Sequence, residues 1–306
     1  MEGLNEEEKV PRKKFDAYRY SVIKSRQMRL PMDGVSDEKR DVFGELVGYC
    51  FEGNEVVSDE QDRKFTLLRV RRIANDGYLF KLYKRTSSKT YDIDHTTMDV
   101  KEHKQENYPF SRVVMVPEDQ TIFIEHRSEA FPKSTSARNA LVSIARNFVS
   151  DDNYYIAIEE ISDTGSFWDA IEHADSIKSV SFDLRAPNFL GTGYDTTGLL
   201  STIKDATNND SVKIIITSDN GDLVINRKEF DDAVAYAGAG GGSWKTLTMR
   251  DGKRVSEKSG NHGVSVSIAM SDSPESKDRS IMDAFRRVGI KRKAKGDGGG
   301  GDHKKA

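Results

Sequence analysis

Apolar and polar residues alternate along residues 65–74 and 78–86, and Asn75-Asp76-Gly77 separates the two runs. A period of two puts successive side chains on opposite faces of a strand, and Gly in a short loop supplies a left-handed residue, so the segment predicts an antiparallel hairpin. A three-residue loop sets Ile73 near Leu79, Arg71 near Lys81 and Arg69 near Tyr83. Arg69, Arg71, Lys81, Tyr83 and Arg85 then share one face, and Leu68, Val70, Phe80 and Leu82 share the other. A two-residue loop on Asp76-Gly77 instead sets Arg72 opposite Lys81 and scatters the charge over both faces.

The same reading predicts a strand over 15–23, a short helix beginning near Ser36 and a loop over 53–62. A second hairpin is expected from 111–116 and 121–126 around Pro117-Glu118-Asp119-Gln120, because Pro presets the turn dihedral and the flanks are β-branched and aromatic. Ala137, Ala140, Leu141, Ile144, Ala145 and Phe148 recur at helical spacing, with Arg138 and Arg146 off that face, so 134–149 predicts an amphipathic helix. Ser150-Asp151-Asp152-Asn153 ends it and marks a domain boundary.

Beyond the boundary strands and helices alternate: strand 154–161, helix 166–173, strand 177–184, helix 196–206 and strand 212–217. Asp219-Asn220-Gly221 then turns into strand 222–226, followed by helix 228–236, strands near 244–249 and 264–270, and a helix over 279–288. The order predicts an α+β protein with an antiparallel, β-rich N-terminal domain (1–150) and a mixed αβ sandwich domain (151–288) that begins in a ferredoxin-like way. A flexible basic tail (289–306) follows, since GDGGGGDHKKA is low-complexity sequence and is expected to be disordered. Gly238 to Gly242 is too glycine-dense for a helix or stable strand, and marks a flexible connector or a close passage of backbone.

Charge changes the picture more than composition does. The formal net charge of −3 averages a near-neutral 1–150, roughly −10 over 151–283 and roughly +6 over 284–306. The basic tail adds Arg286, Arg287, Lys291, Arg292, Lys293 and Lys295 to the hairpin cations. Basic residues interleaved with an aromatic suit a phosphate backbone, because Lys and Arg release condensed counterions while Tyr stacks. An ordinary solvated β face, with cations suppressing edge pairing, and a solubilising C-terminus are the bland alternatives. The lone cysteine, Cys50, allows no intrachain disulfide and reads as a small buried hydrophobe in a reducing, cytoplasmic setting. No stretch has the length and apolarity of a membrane span, and residues 1–14 lack the apolar segment of a secretory signal.

No catalytic motif stands out, and neither cofactor nor metal is expected. Glu159, Glu160, Asp163, Asp169, Glu172, Asp175, Asp183 and Asp195 form an acidic set that a magnesium-dependent nuclease could use, with Glu159 and Asp183 the first to test, although a solvated surface has the same composition. His95, His103, His126, His173, His262 and His303 form no ligand pair at helical spacing. His95 with Asp92 and Asp94 reads as a polar loop. Arg185-Ala186-Pro187-Asn188-Phe189 reads as a strand exit and turn, and Gly191-Thr192-Gly193 as a turn without a nucleotide fingerprint.

The run of strand, helix, strand, turn and strand over 176–226, with VKIIITSDNGDLVIN, and the upstream YPFSRVVMVPEDQTIFIEHR resemble the phage-exclusion proteins of the RexA type and, more loosely, the KwaB-like proteins of bacterial antiphage systems. The resemblance lies in apolar positions and turns over about half the chain. It implies an intracellular sensor or effector of phage defence that binds double-stranded DNA without sequence specificity, as a dimer. A protein partner from a defence operon is a further expectation. The leading reading is thus a non-enzymatic nucleic-acid-binding protein; a metal-dependent nuclease or phosphoesterase and a protein-interaction module are the alternatives.

Overall fold

The computed structural model describes residues 11–24, 42–60, 63–74, 76–149, 154–185, 195–207, 209, 211–270 and 278–290. The chain is α+β and rich in strands. Ser36, near which a helix was expected to begin, lies outside the described residues, among which α1 spans Val42–Phe51. The expected disordered tail lies outside the described residues from 291 onward, as do Lys291, Arg292, Lys293 and Lys295.

Strands β1 (Arg12–Lys24), β2 (Val56–Glu60), β3 (Arg63–Ile73) and β4 (Gly77–Lys84) belong to one large sheet. It is completed by β7 (Phe110–Val116), β8 (Thr121–Glu125), β9 (Tyr154–Glu160) and β14 (Ser265–Ala269), in the order β14-β1-β8-β7-β4-β3-β2 with β9 pairing the far end of β1. Central β7 and β8 read as near-continuous apolar runs because both faces are covered. On one face α1 and α2 (Ser134–Val149) pack over Phe80, Leu82, Val113 and Ile124. Tyr20 stacks on Phe43 with centroids 4.0 Å apart. On the other face α6 (Asp278–Ile290) sets Ile281, Met282 and Phe285 against Phe15, Leu79, Val114 and Phe123. The helical face predicted for 134–149 is buried as expected at Ala137, Ala140, Leu141, Ile144 and Ala145.

A second sheet has the order β11-β10-β12-β13, from β10 (Ser176–Arg185), β11 (Ser211–Thr217), β12 (Gly242–Arg250) and β13 (Lys253–Lys258). All its named strand pairs are antiparallel. Helices α3 (Gly165–Glu172), α4 (Asp195–Thr207) and α5 (Arg227–Tyr236) supply Phe167, Trp168, Leu200 and Val234 to one face, where they meet Val180, Phe182 and Trp244.

Several expected elements differ. The strand at 154–160 does not flank β10 in a ferredoxin-like unit: it pairs with β1 from Tyr18↔Glu160 to Lys24↔Tyr154. Its buried Ile156 and Ile158 belong to the core under α2, which outweighs the local β-α-β order. Strands β9 and β14, from beyond residue 150, both pair with β1 in the first sheet. The segment 222–226 makes one bridge, Asp222 with Ile177, in place of a strand. Two hairpin strands, β5 (Thr86–Asp94) and β6 (Asp99–Asn107), form a separate ribbon: Asp92 and Asp94, read as loop, lie in β5, while His95 is in the turn as expected. Every β6 residue is exposed, so no buried face imprints an apolar period. The loop expected over 53–62 contains β2, and β13 was not anticipated.

The glycine run was read as too dense for helix or strand, yet it is helical over Ala237–Gly241 and enters β12 at Gly242, and of its two expected roles close passage is the one observed. Residues Ala237–Gly241 form a buried π-helical turn. A Cβ on Gly240, whose φ is +80°, would lie 2.6 Å from the Arg19 Cβ, and one on Gly242 would lie 2.2 Å from the Asp183 carbonyl oxygen. Only glycine lets the chain enter β12 between β1 and β10.

Candidate nucleic-acid interface

The β3–β4 hairpin forms, with a different register. Ile73 pairs with Gly77, Arg72 with Tyr78, Arg71 with Leu79, and after a bulge at Val70 Arg69 pairs with Phe80 and Leu68 with Lys81. The left-handed residue of the turn is Ala74, at φ 51°, rather than Gly77. Gly77 is a strand residue over which Met282 of α6 passes, and a Cβ there would sit 2.4 Å from the Met282 sulfur. The glycine thus serves helix packing, and the bulge shifts the charged residues by one position.

The expected single basic face therefore loses Arg69, while Arg71, Lys81 and Tyr83 keep the shared parity of Leu79. Arg69 follows the parity of Leu67 and pairs with Phe80, on the face of the first core. Arg71 points to the other face, where its Nη1 donates to both Asp278 oxygens at 2.9 and 2.7 Å. Arg286 of α6 pairs with Asp76 in the hairpin turn. Hairpin and C-terminal helix lie side by side, and Arg71 and Arg286 are held by acids that lock α6 to the hairpin. Arg85, just past β4, pairs with Glu106 of the polar ribbon and holds that carboxyl below its usual range. Arg287 is exposed on α6.

Lys81 and Tyr83 enter a different cluster, one that local sequence pattern did not reveal. Strand β7 pairs with β4 so that Phe110 faces Tyr83 and Arg112 faces Lys81. Period-two alternation puts all four on one side. Arg127, from the segment after β8, completes the group. Lys81 Nζ is 4.6 Å from the Phe110 ring centroid, with the Arg127 and Arg112 guanidinium carbons at 4.5 and 5.6 Å. Tyr83 and Phe110 rings are 5.4 Å apart at 44°. The ring quadrupole attracts each cation, and the aromatic pair holds them at a partly exposed surface.

The three cations differ in their partners. Arg112 Nη1 donates to both oxygens of Glu125 at 3.1 and 3.0 Å, and the Arg112 amide donates to the same carboxylate at 3.1 Å. Glu125 is 3% exposed, so this pair is a structural anchor. Arg127 pairs with Glu129, whose side chain is 73% exposed, and an ion pair that open to water contributes below about 1 kcal/mol and yields readily to a competing anion.

The acidic residues of 151–288 do not converge. Glu159 accepts from Arg185 Nε at 3.1 Å, and Asp183 lies in the second sheet. Among the described residues no group of three or more His, Cys, Asp or Glu is placed to hold a metal ion. A cleft of about 450 Å³ gathers Ser166 and Asp169 of α3 and His173 just after it with Arg250, Glu257 and His262. There His262 Nε2 meets Glu257 Oε2 at 3.1 Å, and its ring stacks on Trp244. Cys50 is buried, which pushes its thiol up to about 11 and keeps it protonated and inert.

Glu160 has the most perturbed carboxyl. Burial first, then the Asp16 charge, push it up to about 7 from near 4.5; Arg138 of α2 and Lys258 of β13 pull down, and Glu159 pushes up. The folded state therefore holds a proton here that the unfolded chain releases near pH 4.5. Stability contributed by the neutral form is complete below about pH 4.5, falls as pH rises, and is lost above about 7, by about 1–2 kcal/mol after allowing for solvent access. Urea unfolding between these limits should show the decline, and Glu160→Gln should flatten it; an unchanged slope in the variant would assign the decline elsewhere.

Among the described residues no helix is long and apolar enough to cross a membrane. None of the curated proteins matches the chain. The family described as "Domain of unknown function (DUF4747)" matches residues 34–288, from before α1 through most of α6 and so across both sheets. With that span covering most of its 306 residues, the chain belongs to the DUF4747 family.

Proposed function

We propose that this chain is a non-enzymatic, sequence-independent nucleic-acid-binding protein, with double-stranded DNA as its ligand. The observation that carries the reading is the Phe110 ring approached by Lys81, Arg112 and Arg127 and flanked by Tyr83. A phosphate oxygen at such a surface meets two kinds of group at once. Cations replace the counterions that the phosphate gives up, and the aromatic faces pack on sugar or base without reading its identity. Exposed Arg287 and the cations from 291 onward extend the same electrostatic attraction.

The setting we propose is bacterial antiphage defence, in the cytoplasm, as sensor or effector and as a homodimer with a partner from the same operon. It rests on the resemblance of segments 108–127 and 176–226 to phage-exclusion proteins. In that setting indifference to sequence is useful, because invading DNA has no fixed site to recognise.

Fluorescence anisotropy with two unrelated duplexes tests the binding. Equal affinities are expected, falling about a hundredfold or more between about 50 mM and about 200 mM salt if several phosphates are contacted. Absence of binding at the lower salt, or affinity that does not respond to salt, contradicts the proposal. The same duplexes held with magnesium or manganese should stay intact; cleavage would move the reading to a nuclease.

A further inference from the structure

The second sheet buries one face beneath α3, α4 and α5, and strand alternation fixes what lies on the other. Phe182, Trp244, Thr246 and Ile214 point to the helices. The residues between them therefore point away: Lys213 and Ile215 on β11, Ser181 and Asp183 on β10, Lys245 and Leu247 on β12, and Arg254, Ser256 and Lys258 on β13. Lys213, Lys245, Arg254 and Lys258 are exposed, as is Ser256, and Ile215 is 59% exposed. In the part of the chain richest in acids, this face presents four exposed cations; Asp183 lies directly opposite Lys213, and Arg185, of the same parity, is held by Glu159 at the end of the sheet. None of the four cations makes an ion pair among the described residues.

One row of the sheet is decisive. Ser181 faces Lys245, and Lys245 faces Lys258 directly across the β12–β13 pair. Like charges directly opposite on neighbouring strands, about 5 Å apart at Cβ, destabilise a sheet unless an anion sits between them. The face carries no aromatic residue on these strands, so it is built for charge and hydroxyl contact and not for stacking.

We propose that this open face binds the sugar-phosphate backbone of nucleic acid, with Lys245 and Lys258 sharing one phosphate, Ser181 and Ser256 donating hydroxyl hydrogen bonds, and Lys213 and Arg254 taking phosphates to either side. The surface is separate from the Phe110 cluster and goes beyond that reading, since different residues and a different observation carry it. Two contact surfaces on one chain raise the effective concentration of a long duplex at the second once the first is engaged.

The test uses the full chain and a generic duplex, with a neutralised variant, Lys213→Gln, Lys245→Gln, Arg254→Gln and Lys258→Gln. Each lost phosphate contact lowers the slope of log affinity against log salt by about one, so the slope should become shallower by about three to four and affinity should fall roughly ten- to a hundredfold. An unchanged slope in the folded variant overturns the proposal. Lys245→Gln alone, without ligand, should raise Tm at low salt by removing the cross-strand repulsion, whereas a lowered Tm overturns the reading of the pair as a phosphate site. Running Phe110→Ala with Lys81→Glu beside these separates the two surfaces: a loss confined to that variant sinks the sheet proposal, and a loss confined to the sheet variant sinks the Phe110 reading.

Discussion

Replacing Phe110 by Ala and Lys81 and Arg127 by Glu should lower duplex affinity by about a hundredfold while leaving the fold intact. Two charge reversals remove two phosphate contacts and add repulsion, and the loss of a stacking ring contributes about 1–3 kcal/mol of its own. All three side chains are only partly buried, and none supplies a core contact on the scale of Phe80 or Val113. Circular dichroism and Tm establish that the variant is folded. Affinity within about threefold of the parent would remove the cluster from the binding surface, because three altered groups at a real contact exceed that by well over 1 kcal/mol.

Glu125→Leu is expected to cost about 3–5 kcal/mol of stability, the largest effect of any single substitution proposed here. The carboxylate receives two guanidinium hydrogen bonds and the Arg112 amide at the junction of β7 and β8. Removing it leaves a guanidinium that is 13% exposed without its acid and an amide without its acceptor. Adding Arg112→Met should restore much of the loss, since an apolar pair of similar volume carries no desolvation penalty. Urea unfolding of the two single variants and the double gives the coupling; a loss below about 1 kcal/mol for Glu125→Leu would mean that water reaches the pair and that it behaves as a surface bridge.

The two substitutions show where local sequence is informative. The periodicity of 134–149 gave α2 with its buried face, because a helix that covers a sheet must present one apolar stripe. The β7–β8 hairpin was equally plain, since its turn chemistry and its apolar flanks agree. Pairings between distant segments left no such trace. Phe110 and Arg112 join Lys81 and Tyr83 only because β7 pairs with β4, across the intervening ribbon of β5 and β6. Arg127 arrives from beyond β8.

The basic hairpin was legible as a hairpin but not as a surface. One bulged residue, Val70, separated Arg69 from Arg71, and α6 claimed Arg71 through Asp278, more than two hundred residues away. Side-chain direction in a strand turns over with every residue, so a single insertion changes which face a charge occupies. The basic face of the second sheet was hidden for the opposite reason. Its cations are spread along the sequence, at 213, 245, 254 and 258, amid acids that outnumber them, and only the strand order collects them. Summed charge over 151–283 thus concealed a local field of opposite sign.

Where nucleic acid touches the protein is the central claim, and photo-crosslinking reads it directly. A generic duplex bound at low salt is irradiated, the protein digested and the adducted peptides identified by mass spectrometry. The predicted result is adducts on the peptides containing Tyr83 and Phe110, lost when Phe110 is replaced by Ala and diminished at high salt. Adducts confined to other parts of the chain, with none at Tyr83 or Phe110, would contradict the account.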